Sequence, residues 1–274
     1  MRISRFWGIN AEPTRTMNWS LAILPFILLI AVYLVGSHFR LQDNPQDKLL
    51  PSVSKMIYSM KDMIFVEDVR NGQYLFLADT VASLRRIAIG MTMSGTFGLL
   101  LGINMGLFPG LKALTFAFVT FVSIIPPLAV LPILFVVFGV DELAKVVLIF
   151  VGTFLVISRD VYNSAEKTPK EQVVKALTLG ASQLEVVYRV VLPQIMPRLI
   201  EAIRLSLGSA WLFLIAAEAI ASTEGLGYRV FLVRRYLAMD IIIPYVLWIT
   251  FLGFAMDRFL KYFIAWRYSW YQAK

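Results

Sequence analysis

Glu218 is the ionisable side chain set most deeply inside an apolar run, AWLFLIAAEAI, and a carboxyl group at that depth is a candidate for path or gate chemistry by default. A paired structural carboxylate near a membrane face is the competing reading. The 274-residue chain has no cysteine and a single histidine, His38, so thiol nucleophiles, disulfides and thiolate metal sites are excluded and His38 reads as a loop residue. An intramembrane enzyme would need an unusual Ser or Asp arrangement, and no metal-ligand cluster is present in the sequence. No Gly-x-x-x-x-Gly-Lys-Ser/Thr run occurs, so the sequence carries no phosphate-cradling loop of that type. Pro126-Pro127 and Pro132 each remove a backbone donor and predict a broken helix. Carbonyls freed at membrane depth survive only where protein or a polar path satisfies them. Pro126 and Pro127 are therefore candidates for a translocation path, against the plainer reading of a kinked structural helix.

The elements that hold these residues are membrane helices. Hydrophobic residues make up 58% of the chain and charged ones 16%, against roughly 45 to 50% and about 25% in globular domains. With 26 Lys and Arg against 18 Asp and Glu, the formal charge is +8, which in so apolar a chain belongs at membrane faces and lipid rather than on nucleic acid. A span needs about 20 apolar residues, and six stretches qualify: Trp19 to Gly36, Thr80 to Met105, Leu111 to Phe138, Leu143 to Ser158, Leu199 to Ala221 and Ile241 to Leu260. The first comes after a polar start with Arg2, Arg5 and Arg15 and has no cleavage pattern, so it reads as an uncleaved span. The expected organisation is an all-α integral membrane protein: a cytoplasmic tail over 1–18, a first transmembrane helix over 19–36 and a periplasmic segment over 37–79. Beyond these lie a transmembrane core over 80–260, with a cytoplasmic segment 159–198, and a cytoplasmic tail over 261–274.

Basic residues at 159–198 and in both tails predict an inside location for both termini, with the acidic loops outside. Arg85-Arg86, and Arg229, Arg234 and Arg235 in the last outer loop, run against this pattern. Arg85-Arg86 read as anchors at the headgroups, and Arg159-Asp160 as a salt bridge or lipid contact closing the fourth span. Within the second span small residues recur at every fourth position: Gly90, Ser94, Gly98, Gly102, Gly106 and Gly110. That spacing puts them on one helix face and predicts a close helix contact, with Gly98, Gly102 and Gly106 at its centre.

The polar stretch 159–198 predicts two short helices. Pro169 and Glu171 suit a first turn, Gly180 a helix stop and Ser182 the next cap, with the second helix ending near Leu192-Pro193. An inert connecting loop is the plainer reading. This stretch resembles the EAA motif of ABC importer permeases, Glu-Ala-Ala, three residues, Gly, nine residues, Ile, one residue, Leu-Pro. Val174-Lys175-Ala176 stand in the Glu-Ala-Ala places, Gly180 in the glycine place, Val190 in that of Ile, and Leu192-Pro193 close it. The first two motif residues depart from the pattern, which leaves the motif's acidic contact absent or supplied by Glu171 or Lys175.

Further runs narrow the resemblance to the nitrate, sulfonate, taurine and bicarbonate importer permeases: Leu50-Pro51-Ser52, Ser83-Leu84-x-Arg86, Ile125-Pro126-Pro127-Leu128-Ala129, Phe138-Gly139, Thr178-Leu179-Gly180-Ala181-Ser182, Ala217-Glu218 and Gly225-Leu226-Gly227. Ser158-Arg159-Asp160 and the run Arg234 to Asp240 look like the subgroup found beside urea or guanidine carboxylases. The resemblance implies a bacterial inner-membrane permease without ATPase activity. It implies a second permease copy, two cytoplasmic ATPase subunits that hold ATP and Mg, and a periplasmic solute-binding protein. It also implies ATPase coupling through Glu171, Lys175, Ala176, Gly180, Ala181, Ser182, Leu192 and Pro193, and adds Gly225 and Gly227 to Glu218 as path or gate. An ion-coupled carrier acting alone is the alternative; it lacks the expected internal repeat and gives no reason for the Gly180 turn. With no Arg or Lys well inside a span apart from Lys145, the sequence tilts the expected solute towards a neutral or cationic nitrogen compound, urea or guanidinium, over an anion.

Overall fold

The computed structural model describes residues 14–68 and 72–271, so most of the expected N-terminal tail, with Arg2 and Arg5, lies outside the described residues. Apolar sequence without internal capping gives α1, Arg15–Asp43, which runs beyond the expected 19–36 at both ends. Nearly all its side chains are exposed, as suits a helix apolar all round and matched to lipid. Two side chains tie it to the segment ahead of the next helix: the Tyr33 hydroxyl donates to the Pro51 carbonyl at 2.7 Å, and Ser37 donates to Leu50. α2, Val53–Phe65, is capped by Ser52, and its Ser59 donates to Asp240, near the C-terminal end of the chain, at 2.6 Å. α3, Leu75–Leu107, is the longest helix.

Phe108 ends α3 and Pro109 starts α4, Pro109–Val122, with α5, Pro127–Phe138, beyond a break. The two are bent by 96°, as Pro126-Pro127 demand, since neither can supply the N–H that would continue α4. α6, Glu142–Glu166, continues two turns past the expected end at Ser158, so Arg159 and Asp160 lie inside the helix. α7, Lys170–Thr178, a short α8, Gln183–Glu185, and a π-helical turn, Val186–Val191, lead into α9, Leu192–Ile220. The chain does not stop at Leu192-Pro193. The Leu192 N–H reaches Val187 O, five residues back, and this wider turn seats Pro193 in the first turn of α9, where a missing N–H costs nothing. α10, Leu226–Arg234, and α11, Met239–Arg267, complete the described chain.

By length and composition four segments can cross a membrane: Arg15–Asp43, Leu75–Leu107, Gln183–Ile220 and Met239–Arg267, with the bent pair α4–α5 as a fifth. The expected fourth span is α6, which carries Glu142, Lys145, Arg159 and Asp160 and packs along α3 and α9 at the centre of the bundle. The glycine ladder is the α3–α6 seam. A Cβ added at Gly90 would sit 2.7 Å from Ile149, at Gly98 2.8 Å from Ile157, and at Gly102 2.6 Å from the Ser158 carbonyl and 2.7 Å from Val161. At Gly106 it would run into Ala165, and Ser94 accepts a hydrogen bond from Thr153 at 2.7 Å. Ile149, Thr153, Ile157, Val161 and Ala165 recur at the same four-residue step, so the two helices run parallel at one constant offset, stiff β-branched side chains seated in the glycine notches. Gly110 is beyond the seam and has nothing within 4 Å of its Cβ position.

Candidate functional site

At one end of α9 stands the turn at Gly180. Ala181 N–H bonds to Ala176 O at 3.1 Å and Gly180 N–H to Leu177 O at 3.0 Å, the pair of bonds that closes a helix with a left-handed residue. Gly180 holds φ +92°, a conformation that a side chain strains. The spacing from Ala176 to Gly180 is thus set by hydrogen-bond geometry. Ser182 then caps the next helix reciprocally with Glu185, whose carboxylate accepts from the Ser182 N–H at 2.9 Å. The turn is built rigidly from its own backbone. Ala176, Ala181 and Leu192 pack inward, while Glu171, Lys175, Gly180, Ser182 and Pro193 are exposed. So is an apolar face of Val174, Leu177, Leu179, Leu184 and Tyr188, with Leu179 at the tip 80% exposed. Every coupling residue expected from sequence falls on this helix-turn-helix or on its passage into α9.

About 26 residues further along α9, some ~39 Å at the helical rise, Glu218 lies fully buried. Its Oε1 accepts from Arg86 Nη1 at 2.6 Å and from Ser83 at 2.8 Å, and its Oε2 from the Gly227 N–H at 2.8 Å. Arg86, expected at the headgroups, is 1% exposed and forks between Glu218 and Glu142, which takes its Nε and Nη2 at 2.7 and 2.6 Å. The correction has a plain cause: two carboxylates and the Glu224 carbonyl supply the partners that a buried guanidinium requires. Arg85, one residue back, is exposed.

Asp79, for which the sequence pattern carries no signal, is also fully buried and takes the Gly225 N–H at 2.9 Å, Arg229 at 2.8 Å and the Tyr245 hydroxyl at 3.2 Å. This pairing accounts for Arg229, which runs against the charge pattern. Both glycines of Gly225-Leu226-Gly227 are dictated by space. A Cβ on Gly225, whose φ is +128°, would lie 2.5 Å from the Glu218 carboxyl carbon, and one on Gly227 2.8 Å from Ile215 Cα. The chemistry here is that of a clasp. Every oxygen of Glu218 is filled, and the network ties α3, α6, α9, α10 and α11 into one unit at this end of the bundle.

Glu218, Gly225 and Gly227, expected together as path or gate, are thus in mutual contact. Pro126 and Pro127 stand apart, at the α4–α5 break, where the end of α4 meets Arg159 through Ser123. Among the described residues no group of three or more His, Asp or Glu side chains is placed to hold a metal ion.

The family model described as "Binding-protein-dependent transport system inner membrane component" matches residues 94–267. A probable ABC transporter permease protein of Brucella melitensis is 35% identical over 191 residues, 70% of this chain and 77% of that protein. The taurine transport system permease protein TauC of Escherichia coli is 32% identical over 180 residues, 66% of each chain. The bicarbonate transport system permease protein CmpB of Synechococcus elongatus is 30% identical over 192 residues, 70% of this chain and 68% of that one. Among solved structures, an inward-facing MetNI methionine ABC transporter chain has the same fold, with a TM-score of 0.57 at 20% identity, covering 69% of this chain and 96% of that one.

Proposed function

The chain belongs to the binding-protein-dependent transport system inner membrane components, the permeases of ABC importers, and from that premise we propose that it is the non-catalytic path-forming subunit of an ATP-driven importer of a small polar solute. It pairs with a second copy of itself. Two ATPase subunits, which hold ATP and Mg, dock on the Gly180 end, and a periplasmic solute-binding protein delivers to the Glu218 end. Both termini are cytoplasmic in this arrangement. The single observation that carries the reading is the rigid, outward-facing apolar turn of Val174, Leu177, Leu179, Leu184 and Tyr188. An apolar patch held in a fixed geometry outside the bundle has the character of a protein-docking surface, and a carrier driven by an ion gradient alone has no use for it. Motion received at the turn passes directly into α9, because the π-helical passage leaves no flexible joint between them.

The sequence preference for a urea- or guanidinium-like solute rests on the absence of a cation well inside the spans and on the likeness to the subgroup found beside urea or guanidine carboxylases. Arg159, two turns inside α6, weakens the first of these. The matched relatives include permeases for taurine and bicarbonate, and we take the solute to carry an oxyanion group. Vesicles containing the permease, its ATPase and its binding protein test the proposal. Uptake of taurine or bicarbonate that depends on both ATP and the binding protein is the expected result. Uptake driven by a proton or sodium gradient without the ATPase would overturn it.

A further inference from the structure

α10 ends in the same hydrogen-bonded cap as α7, with a different residue in the critical place. Leu237 N–H bonds to Arg234 O at 3.1 Å and Ala238 N–H to Val233 O at 3.3 Å, the spacing that Gly180 and Ala181 show at the other end of the bundle. The residue that closes such a cap takes a left-handed backbone, which glycine adopts without steric cost. Here it is a leucine: Leu237 holds φ +55° and is the one non-glycine residue with positive φ among the described residues. Strain of this kind collects at ligand clamps and switch regions. The Leu237 side chain is 51% exposed, beside a Tyr236 that is 69% exposed, so burial in its own chain does not account for it.

The charge around this turn is unmatched as well. Arg85, Arg86, Lys145 and Arg229, the cations around the clasp, each meet a carboxylate. Arg234 and Arg235 are exposed and meet none among the described residues, and Arg234 lies over the Phe231 ring at 5.2 Å. The nearest acid in sequence, Asp240, accepts from Ser59 of α2 at 2.6 Å and leaves the arginines without a partner. These two arginines run against the charge pattern of the outer face, and pairing does not explain them as it explains Arg229. α11 fixes where the turn stands. It runs back along α9 towards the Gly180 end, Asp257 meeting Arg204, while Tyr245, about 9 Å along the helix from Met239, bonds to Asp79 in the clasp. The turn, two residues ahead of α11, is therefore beyond the clasp, at the end of the bundle opposite Gly180.

On the permease reading above, we propose that Arg234, Arg235, Tyr236 and Leu237 form the docking surface for the solute-binding protein, whose facing surface is acidic around an apolar notch that takes Leu237. The family to which the chain belongs depends on such a protein. An exposed leucine held in a rigid cap and flanked by tyrosine and arginine has the make-up of an interface centre. Arginines without a partner in their own chain steer and then pair with carboxylates of an incoming surface.

The test measures the affinity of the solute-binding protein for the permease–ATPase complex in phosphatidylcholine nanodiscs, at low and at high salt. Leu237→Gly keeps the cap and relieves its backbone while removing the side chain. The unfolding midpoint should then stay the same or rise while the affinity falls by roughly tenfold or more, the worth of burying one leucine. Arg234→Gln with Arg235→Gln should weaken binding at low salt and flatten its salt dependence. Equal affinity in the parent and Leu237→Gly would overturn the proposal. A lower midpoint in Leu237→Gly would overturn it too, because the leucine would then serve its own fold. So would losses that appear only when the nanodiscs contain phosphatidylglycerol, since a lipid headgroup would then be the occupant. Failure of the permease reading looks different: the parent complex itself neither binds the protein nor imports with ATP.

Discussion

Replacing Gly102 with alanine adds one methyl group at the tightest backbone approach in the α3–α6 seam. That Cβ would lie 2.6 Å from the Ser158 carbonyl oxygen and 2.7 Å from Val161 Cβ. A backbone carbonyl on a packed helix cannot swing aside, so α6 has to retreat by roughly 0.8 Å to restore ordinary contact, a gap that forfeits a quarter to a half of each neighbouring dispersion contact. Overpacking of this kind costs ~1–3 kcal/mol. The gain in helix propensity from Gly to Ala returns at most ~1 kcal/mol. With the full propensity gain the net loss is at most ~2 kcal/mol, a midpoint lower by up to roughly 8 °C for a chain of this size. Gly110→Ala, in the first turn of α4, supplies the control, since its added methyl group has nothing within 4 Å. Thermal unfolding of the purified chain in detergent, monitored by loss of the monodisperse peak, should lower the midpoint for Gly102→Ala and leave it unchanged or raised for Gly110→Ala. Equal midpoints for the two variants would refute the seam.

Glu218→Gln leaves Arg86 with one hydrogen-bonded carboxylate, Glu142, and the more distant Glu224 at 3.8 Å, and removes a charge-assisted partner of the Gly227 N–H, a loss of about 3–5 kcal/mol for a buried pair; the check is thermal unfolding, and a shift no larger than that of Glu224→Gln would contradict the clasp. Gly225→Ala collides with Glu218 and Arg86 at a positive φ and should cost as much or more, read by the yield of folded chain after membrane extraction. Gly180→Val forces a β-branched residue to φ +92° while touching nothing else, so ATP-driven uptake should fall severalfold with the unfolding midpoint little changed; a large drop in the midpoint would show the turn to be part of the core.

The features legible in the residues are local. Gly180, Ser182 and Pro126-Pro127 act on their own turn of backbone, and the glycine ladder announces its face through period alone, so each can be read in sequence order. The identity of distant partners cannot. Arg86 meets Glu142 and Glu218, 56 and 132 residues away, and Asp79 meets Arg229 150 residues away. In sequence, the pair Arg85-Arg86 near the start of an apolar run has the appearance of a headgroup anchor, and only the packing of α3 against α6 and α9 supplies the carboxylates of Arg86. The extension of α6 past Arg159 is hidden for a related reason. Charged residues mark the end of an apolar stretch but do not stop a helix, and Arg198 and Ser123, from other elements, meet the side chains of Asp160 and Arg159. The π-helical passage into α9 leaves no signal beyond Pro193, which reads as a stop until its missing N–H is seen to fall in the first turn of the next helix.

The docking of an ATPase on the Gly180 turn is tested most directly by a thiol crosslink. In membranes containing the assembled complex, a chain carrying Ser182→Cys as its only cysteine should join a cysteine-bearing partner ATPase through a short bifunctional reagent. The additional pair Leu179→Asp and Leu184→Asp, which puts charge on the exposed apolar face, should abolish that product while the chain remains folded. Crosslinking that survives the two aspartates undiminished, or that forms equally from a cysteine placed at Thr223 beside the clasp, would contradict docking at this turn.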